Sequence, residues 1–271
     1  MSQAWQLALL GAVQGLTEFL PVSSSAHLVF AQYLLGLQRP GVLLEAVLHL
    51  GTVAAVLVLY GRDLFAIVTD WLRAPLDIRT PRAGRVVWLI ALTTAVTAAP
   101  GLVFERPLRA VFDSVTWTAG ALLVTGFLLW FARERARRPM HAMTLWDAGL
   151  IGLAQAVSIL PGISRSGVTI ATGLWRGVAR EDAARYSFLA SVPAILGAGG
   201  YSLAKEWRVA LAHGHTPGEF AVGFAVSLVA GTAAILWLVD FVRRGRLGRF
   251  SYYCWGVGLV MLAVGVARGG T

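Results

Sequence analysis

Apolar runs of 15 to 20 residues recur along the whole sequence, separated by short arginine-bearing stretches. A helix of that length matches the hydrocarbon core of a bilayer, so runs in series read as a polytopic membrane protein. Composition agrees. Of 271 residues, 57% are hydrophobic and only 14% charged, with a mean hydropathy of +0.68, whereas a soluble domain carries roughly 25% charge. The net charge of +9 does not point to nucleic acid, because the arginines gather in the short loops between spans. The one cysteine, Cys254, excludes an intrachain disulfide and a cysteine-based metal site. No basic flank or small-residue cleavage signal surrounds residues 3–20, so we do not read them as a cleaved signal peptide. Tryptophans and tyrosines near span ends, such as Trp5, Tyr60, Trp88, Trp117, Trp130, Trp207 and Tyr252, fit interfacial belts.

Two polar runs break the apolar pattern: Ser23-Ser24-Ser25-Ala26-His27 behind Glu18 and Pro21, and Pro161-Gly-Ile-Ser164-Arg165-Ser166-Gly. Proline cannot continue a helix. Residues 3–20 and 26–36 therefore form a re-entrant hairpin, as do 145–160 and 167–175. Irregular tips of this kind persist at membrane depth only inside protein or beside a wet cavity. Full spans are expected at 42–60, 86–103 and 116–132, then at 186–204, 219–242 and 252–267, with a loop over 61–85. The halves, 1–135 and 142–271 of one membrane domain, also match by residue. At an offset of 141, Gln14 meets Gln155, Ser23 and Ser25 meet Ser164 and Ser166, and Tyr60 meets Tyr201; Pro21 and Pro161 differ by 140.

One hairpin and three spans per half put the second half in the membrane upside down. The expected fold is thus all-α, with two inverted-topology repeats, each a re-entrant helical hairpin plus three transmembrane helices. Charge supports this. Sixteen of the 23 basic residues fall on loops assigned to one side and six to the other, with Arg165 the remaining one. The arginine-rich side is then cytoplasmic, and both termini lie outside. Broken helices in inverted repeats aim half-helix N-termini at a midplane anion.

The polar residues define the chemistry. Arg165 at the bilayer centre costs ~3 kcal/mol and calls for a charged partner; it either clamps a phosphate with its planar fork, forms a structural ion pair with Glu18, or sits at the membrane surface. Gln14 and Glu18, spaced i, i+4, share a helical face. They can hold Mg²⁺ or Ca²⁺ beside substrate phosphates, unless Glu18 only partners Arg165. Ser24 and His27, spaced i, i+3, suggest a nucleophile with its imidazole. Ser23, Ser25, Ser164, Ser166 and Thr169 either bind substrate oxygens or cap helices. Glu45 and His49 either line the cavity or sit at the interface. Asp147 and Asp240, near span ends, read as solvated, and Gly197–Gly200 suggests close helix packing between helices or protomers.

Two stretches, Gln14-Gly-Leu-Thr-Glu18-Phe-Leu-Pro21-Val-Ser-Ser-Ser-Ala-His27-Leu and Leu160-Pro-Gly-Ile-Ser-Arg165-Ser-Gly-Val-Thr169, resemble the motifs of the undecaprenyl-diphosphate phosphatase, or bacitracin-resistance, family. The resemblance spans essentially the whole chain. It implies hydrolysis of the polyprenyl diphosphate to its monophosphate with a divalent cation, recycling the lipid carrier of cell-wall synthesis. It also implies the bacterial plasma membrane, a site open to the periplasmic or outer face, and a homodimer. It assigns Glu18 and Gln14 to the acidic motif, Ser24 as nucleophile, His27 as acid/base and Arg165 as phosphate clamp. Gln14 departs from the family by removing a carboxylate, and Ala26 stands where many members have glycine. The motif leaves attack by Ser24, by His27 or by water open. A carrier of polyprenyl phosphates is the rival reading, because inverted repeats with midplane half-helices are also a transporter plan.

Overall fold

A computed structural model describes residues 3–36, 42–80, 82–103, 114–212 and 216–268. The expected loop at 37–41, and residues 104–113 of the loop expected at 104–115, lie outside the described residues. The described chain is helical, with one isolated β-bridge between Arg138 and Val178.

Helix α1 (Gln3–Phe19) stops short of Pro21. Helix α2 (Ser24–Leu35) is capped by Ser23 and closed by Gly36 in the left-handed region, φ 61°. Helices α3 (Val42–Arg73), α4 (Arg85–Val103) and α5 (Val115–Trp130) complete the first half. The second half runs through α6 (Leu145–Val157), α7 (Arg165–Trp175), α8 (Arg180–Ala212), α9 (Pro217–Arg243) and α10 (Phe250–Ala267). Short 3₁₀ turns sit at Met140–Ala142 and Leu247–Arg249.

Two helices outrun the sequence reading. Helix α3 continues to Arg73 rather than ending near Tyr60, so half of the expected loop over 61–85 is helical. Helix α8 starts at Arg180 and passes through Pro193. The extensions support each other: Asp63 on α3 pairs with Arg185 on α8, whose guanidinium also lies 5.9 Å from the Tyr60 ring. Charge that looked like loop is paired charge between helices.

Among the described residues, four segments are long and apolar enough to cross a membrane: Leu43–Arg73, Arg180–Lys205, Pro217–Arg243 and Leu247–Ala267. Arg85–Pro100, Val115–Trp130 and Leu145–Val157 are shorter apolar helices. Phe65, Val58, Val229, Leu236, Val260 and Val266 are all exposed, a surface suited to lipid rather than water. The chain is a multi-pass helical membrane protein.

Packing interleaves the halves. Helix α1, of the first half, lies against α9, and α6, of the second half, lies against α4. Helix α3 pairs with α8, and α5 with α10. Glycines allow the close approaches: a Cβ on Gly11 would meet the Gly223 carbonyl at 2.7 Å, and one on Gly152 the Thr93 carbonyl at 2.9 Å. Gly197 and Gly200 face open space, and only Gly199 of that run meets a neighbouring helix, at Leu50.

Asp147 is not solvated as its position suggested. It is fully buried at the start of α6, where it accepts from the Thr144 N–H at 2.7 Å, Arg138 at 3.1 Å and Arg176 at 2.6 Å. Arg176 caps α7, so this carboxylate ties the two ends of the second hairpin together. Asp240 is half exposed and pairs with Arg244 at 2.9 Å.

Candidate active site

The two hairpin tips are built alike. Ser23 accepts from the Ala26 N–H at 3.4 Å, and Ser164 accepts from the Gly167 N–H at 3.1 Å. Each capping hydroxyl also meets the one two residues on: Ser23 with Ser25 at 3.1 Å, Ser164 with Ser166 at 3.2 Å. Capping satisfies helix-end N–H groups that have no partner within the helix. Thr125 on α5 fixes the second tip by donating to the Gly162 carbonyl at 2.9 Å and accepting from the Ser164 N–H at 3.0 Å. Gly162 is required there. Its φ is 98°, and a Cβ would lie 2.3 Å from the Thr118 carbonyl. The first tip carries its strain differently. Ser23 is the only described non-glycine residue with positive φ, at 67°, a conformation costing ~1–3 kcal/mol. Ser166 Oγ donates to the Leu20 carbonyl at 3.1 Å and so joins the tips.

Glu18, the last charged residue before the first tip, is the centre of the site. It is 8% exposed. One carboxylate oxygen accepts from Arg165 at 2.5 Å. The other accepts from Gln14 Nε2 at 2.8 Å and from Ser24 Oγ at 2.6 Å. His49 Nε2 stands 3.6 Å from that second oxygen, while its Nδ1 meets the Glu45 carbonyl at 2.7 Å. His49 therefore lines the site. Arg165 also reaches the Ser187 carbonyl at 3.4 Å. Thr169 donates to the Arg165 carbonyl at 2.8 Å and shares a 2.6 Å hydrogen bond with Ser187. The structure thus joins Arg165 and Glu18 directly, answering the cost of a lone arginine in an apolar setting.

Sequence spacing paired Ser24 with His27, and the structure directs them apart. Helical side chains lean toward the N-terminus. The His27 ring folds back so that Nδ1 meets the Ser23 carbonyl at 2.8 Å, and Nε2 meets Tyr253 Oη at 2.8 Å. The two rings stack with centroids 5.6 Å apart. Ser24 instead reaches across the tip to Glu18. Tyr253, Ser187 and Thr125 were not singled out from sequence. Tyr253 stands beside Tyr252 at the start of an apolar helix, where a tyrosine reads as interfacial belt. Ser187 and Thr125 lie inside apolar spans with no motif around them.

Among the described residues, no group of three or more His, Cys, Asp or Glu comes together as a metal site. Glu18 is the carboxylate, and Gln14 Oε1 is buried without a hydrogen-bond partner. Mg²⁺ or Ca²⁺ that draws its other ligands from phosphate and water needs only one or two protein oxygens, and this pair fits that need.

Residues 7–260 match the family described as bacitracin resistance protein BacA. The chain is 42% identical over 260 residues to an undecaprenyl-diphosphatase of Syntrophotalea carbinolica, covering 94% of this chain and 97% of that one. It is 39% identical over 269 residues to an undecaprenyl-diphosphatase of Carboxydothermus hydrogenoformans, covering 97% and 98%. A third relative, the undecaprenyl-diphosphatase of Alkaliphilus metalliredigens, is 39% identical over 94% of this chain and 96% of its own.

Proposed function

We propose that this chain, which belongs to the bacitracin resistance protein BacA family, hydrolyses undecaprenyl diphosphate to undecaprenyl phosphate and phosphate in the membrane, recycling the lipid carrier of cell-wall synthesis. The observation that carries the reading is the hydrogen bond from Ser24 Oγ to Glu18 at 2.6 Å, on a carboxylate whose other oxygen holds Arg165. A hydroxyl, a base and a phosphate-binding cation meet at the N-termini of two half-helices.

The diphosphate draws Arg165 from Glu18 onto its own oxygens, where a bidentate contact is available. The N-termini of α2 and α7 add N–H donors and positive helix ends. The hydroxyls of Ser23, Ser25, Ser164, Ser166 and Thr169, which cap and tie the two tips, hold those N-termini in place for the phosphate. Glu18, freed of its arginine, takes the proton as Ser24 Oγ bonds to the terminal phosphorus and the bond to the bridging oxygen breaks. That proton leaves with the lipid phosphate. Glu18 then deprotonates a water that attacks the phosphoserine, and Ser24 regains its proton as phosphate departs. Positioning and charge neutralisation supply most of the acceleration in such transfers. Glu18 and Gln14 Oε1 would hold a divalent cation, Mg²⁺ or Ca²⁺, which neutralises phosphate charge when bound.

The arrangement proposed around this site is an inverted pair of repeats, 1–135 and 142–271, in a bacterial plasma membrane. Both termini and the site opening face outward, and two copies associate. The interleaved packing of the halves and the arginine asymmetry support the inversion. A polyprenyl-phosphate carrier would not need a serine bonded to a base.

Phosphate release from a short-chain polyprenyl diphosphate in detergent tests the reading. Wild type should release phosphate with Mg²⁺ or Ca²⁺ and stop with chelator, and Arg165→Ala should be inactive. A wild type that moves lipid across vesicles yet releases no phosphate would be the carrier instead.

A further inference from the structure

We infer that Tyr253 is a positioning residue for Ser24, acting through the His27 ring on the strained backbone of Ser23; this rests on the phosphatase reading above. Helix α2 begins at Ser24 only after the turn at Ser23, whose φ is 67° and ψ 98°. That turn is what directs Ser24 Oγ back across the tip to Glu18. With an ordinary negative φ at Ser23, the chain would enter α2 from another direction and the hydroxyl would miss the carboxylate.

Something must hold the turn, because serine does not adopt it readily. The Ser23 carbonyl accepts from the His27 backbone N–H at 3.2 Å and meets His27 Nδ1 at 2.8 Å. A carbonyl can only accept, so Nδ1 carries the hydrogen. In the neutral ring Nε2 is then an acceptor, and Tyr253 O–H donates to it at 2.8 Å. The near-parallel rings, 9° apart, limit the imidazole from its face as well. Tyr253 belongs to α10, outside both hairpins. The adjacent Cys254 Sγ lies 3.6 Å from the Pro21 carbonyl on the other side of the same tip. The first turn of α10 therefore braces the tip at two points, and His27 transmits one of them.

The experiment uses the full chain in detergent. Tyr253→Phe keeps the ring and removes the donor. For phosphate release, kcat should fall about tenfold, the scale of one lost hydrogen bond, with KM unchanged. Labelling of His27 by diethyl pyrocarbonate, mapped by peptide mass spectrometry, should rise several-fold as Nε2 loses its partner. Tyr252→Phe, whose ring packs on Trp130 and Trp255, should match wild type in both. Wild-type kcat in Tyr253→Phe, or wild-type labelling of His27, overturns the inference. If wild type itself releases no phosphate, the phosphatase reading fails, and the labelling alone decides whether Tyr253 holds His27.

Discussion

The Glu18–Arg165 pair offers a test in which stability and activity move in opposite directions. The side chains are 6% and 15% exposed, so each is a charge removed from water. Breaking a buried pair by deleting one partner costs ~3–5 kcal/mol, whereas replacing both with neutral side chains of similar size is often close to neutral. In Arg165→Met, Glu18 keeps its donors from Gln14 and Ser24, which places the loss near the lower bound, about 3 kcal/mol. In Glu18→Gln the amide oxygen can still accept from Arg165, but the guanidinium loses its counter-charge and otherwise has only the 3.4 Å bond to the Ser187 carbonyl among its described hydrogen bonds, and a similar loss is expected. At roughly 2–4 °C per kcal/mol, each single variant should melt about 6–12 °C below wild type. The double variant should recover most of that difference while remaining inactive, because it has neither base nor phosphate clamp. Thermal unfolding in one detergent, followed by intrinsic fluorescence, reads the cycle. A double variant as unstable as the two singles added together would refute the coupling.

Ser24→Ala removes one donor to the buried Glu18 carboxylate, and should cost about 1–2 kcal/mol of stability while losing on the order of 10³-fold or more in kcat. Phosphoserine at position 24, trapped from wild type by rapid acid quench and absent from the variant, is the expected signature; label on His27 would redirect the mechanism. Gly162→Ala should fail to accumulate as folded protein, because its φ is 98° and its Cβ would lie 2.3 Å from a backbone oxygen. Gly120→Ala, which meets nothing within 4 Å, should stay within about 0.5 kcal/mol of wild type, as size-exclusion profiles and melting curves would report. In the loop after α3, Asp77 accepts from the Thr80 N–H at 3.0 Å. That bond holds its carboxyl below the usual range. Its contribution to loop order is complete above the ordinary carboxylate pKa and disappears as pH falls through the lowered one. Fluorescence of Trp88, whose indole N–H donates to the Pro75 carbonyl, should show that acid transition in wild type and a smaller one in Asp77→Asn, where Asp70, bonded to Gly84 and Arg82, still titrates.

The sequence made the hairpins legible because proline and serine act locally: they stop one helix and cap the next wherever the chain goes. Ser23 and Ser164 indeed cap the helices that their motifs announced, and Gln14 and Gln155 are both buried on the first helix of their hairpins. The match of Tyr60 to Tyr201 did not carry over. Tyr60 packs on Phe188 and Arg185, whereas Tyr201 is 65% exposed. Span ends were misjudged where charge looked like water. Asp63, Arg185 and Asp147 are polar in sequence yet satisfied by partners far along the chain. The site was read as a Ser24–His27 pair because helical periodicity counts only neighbours on one helix. The partner each residue takes, Glu18 across a turn and Tyr253 from the last helix, depends on a positive φ and on tertiary packing that periodicity does not encode.

The crossed lodging of α1 on α9 and of α6 on α4 has a consequence for biogenesis. As the chain leaves the ribosome, α1 can lean on α2 and α3, but its main neighbour, α9, is made only near the end. The hairpin's polar tip must wait, exposed to lipid or held at the interface, while later helices arrive. Late docking of an early segment is slow for the same reason that long loops are costly to close. Each half, synthesised alone, would leave the first helix of its hairpin without its main neighbour. Co-expressed, the two would have to find each other in the membrane before either could hold a phosphate.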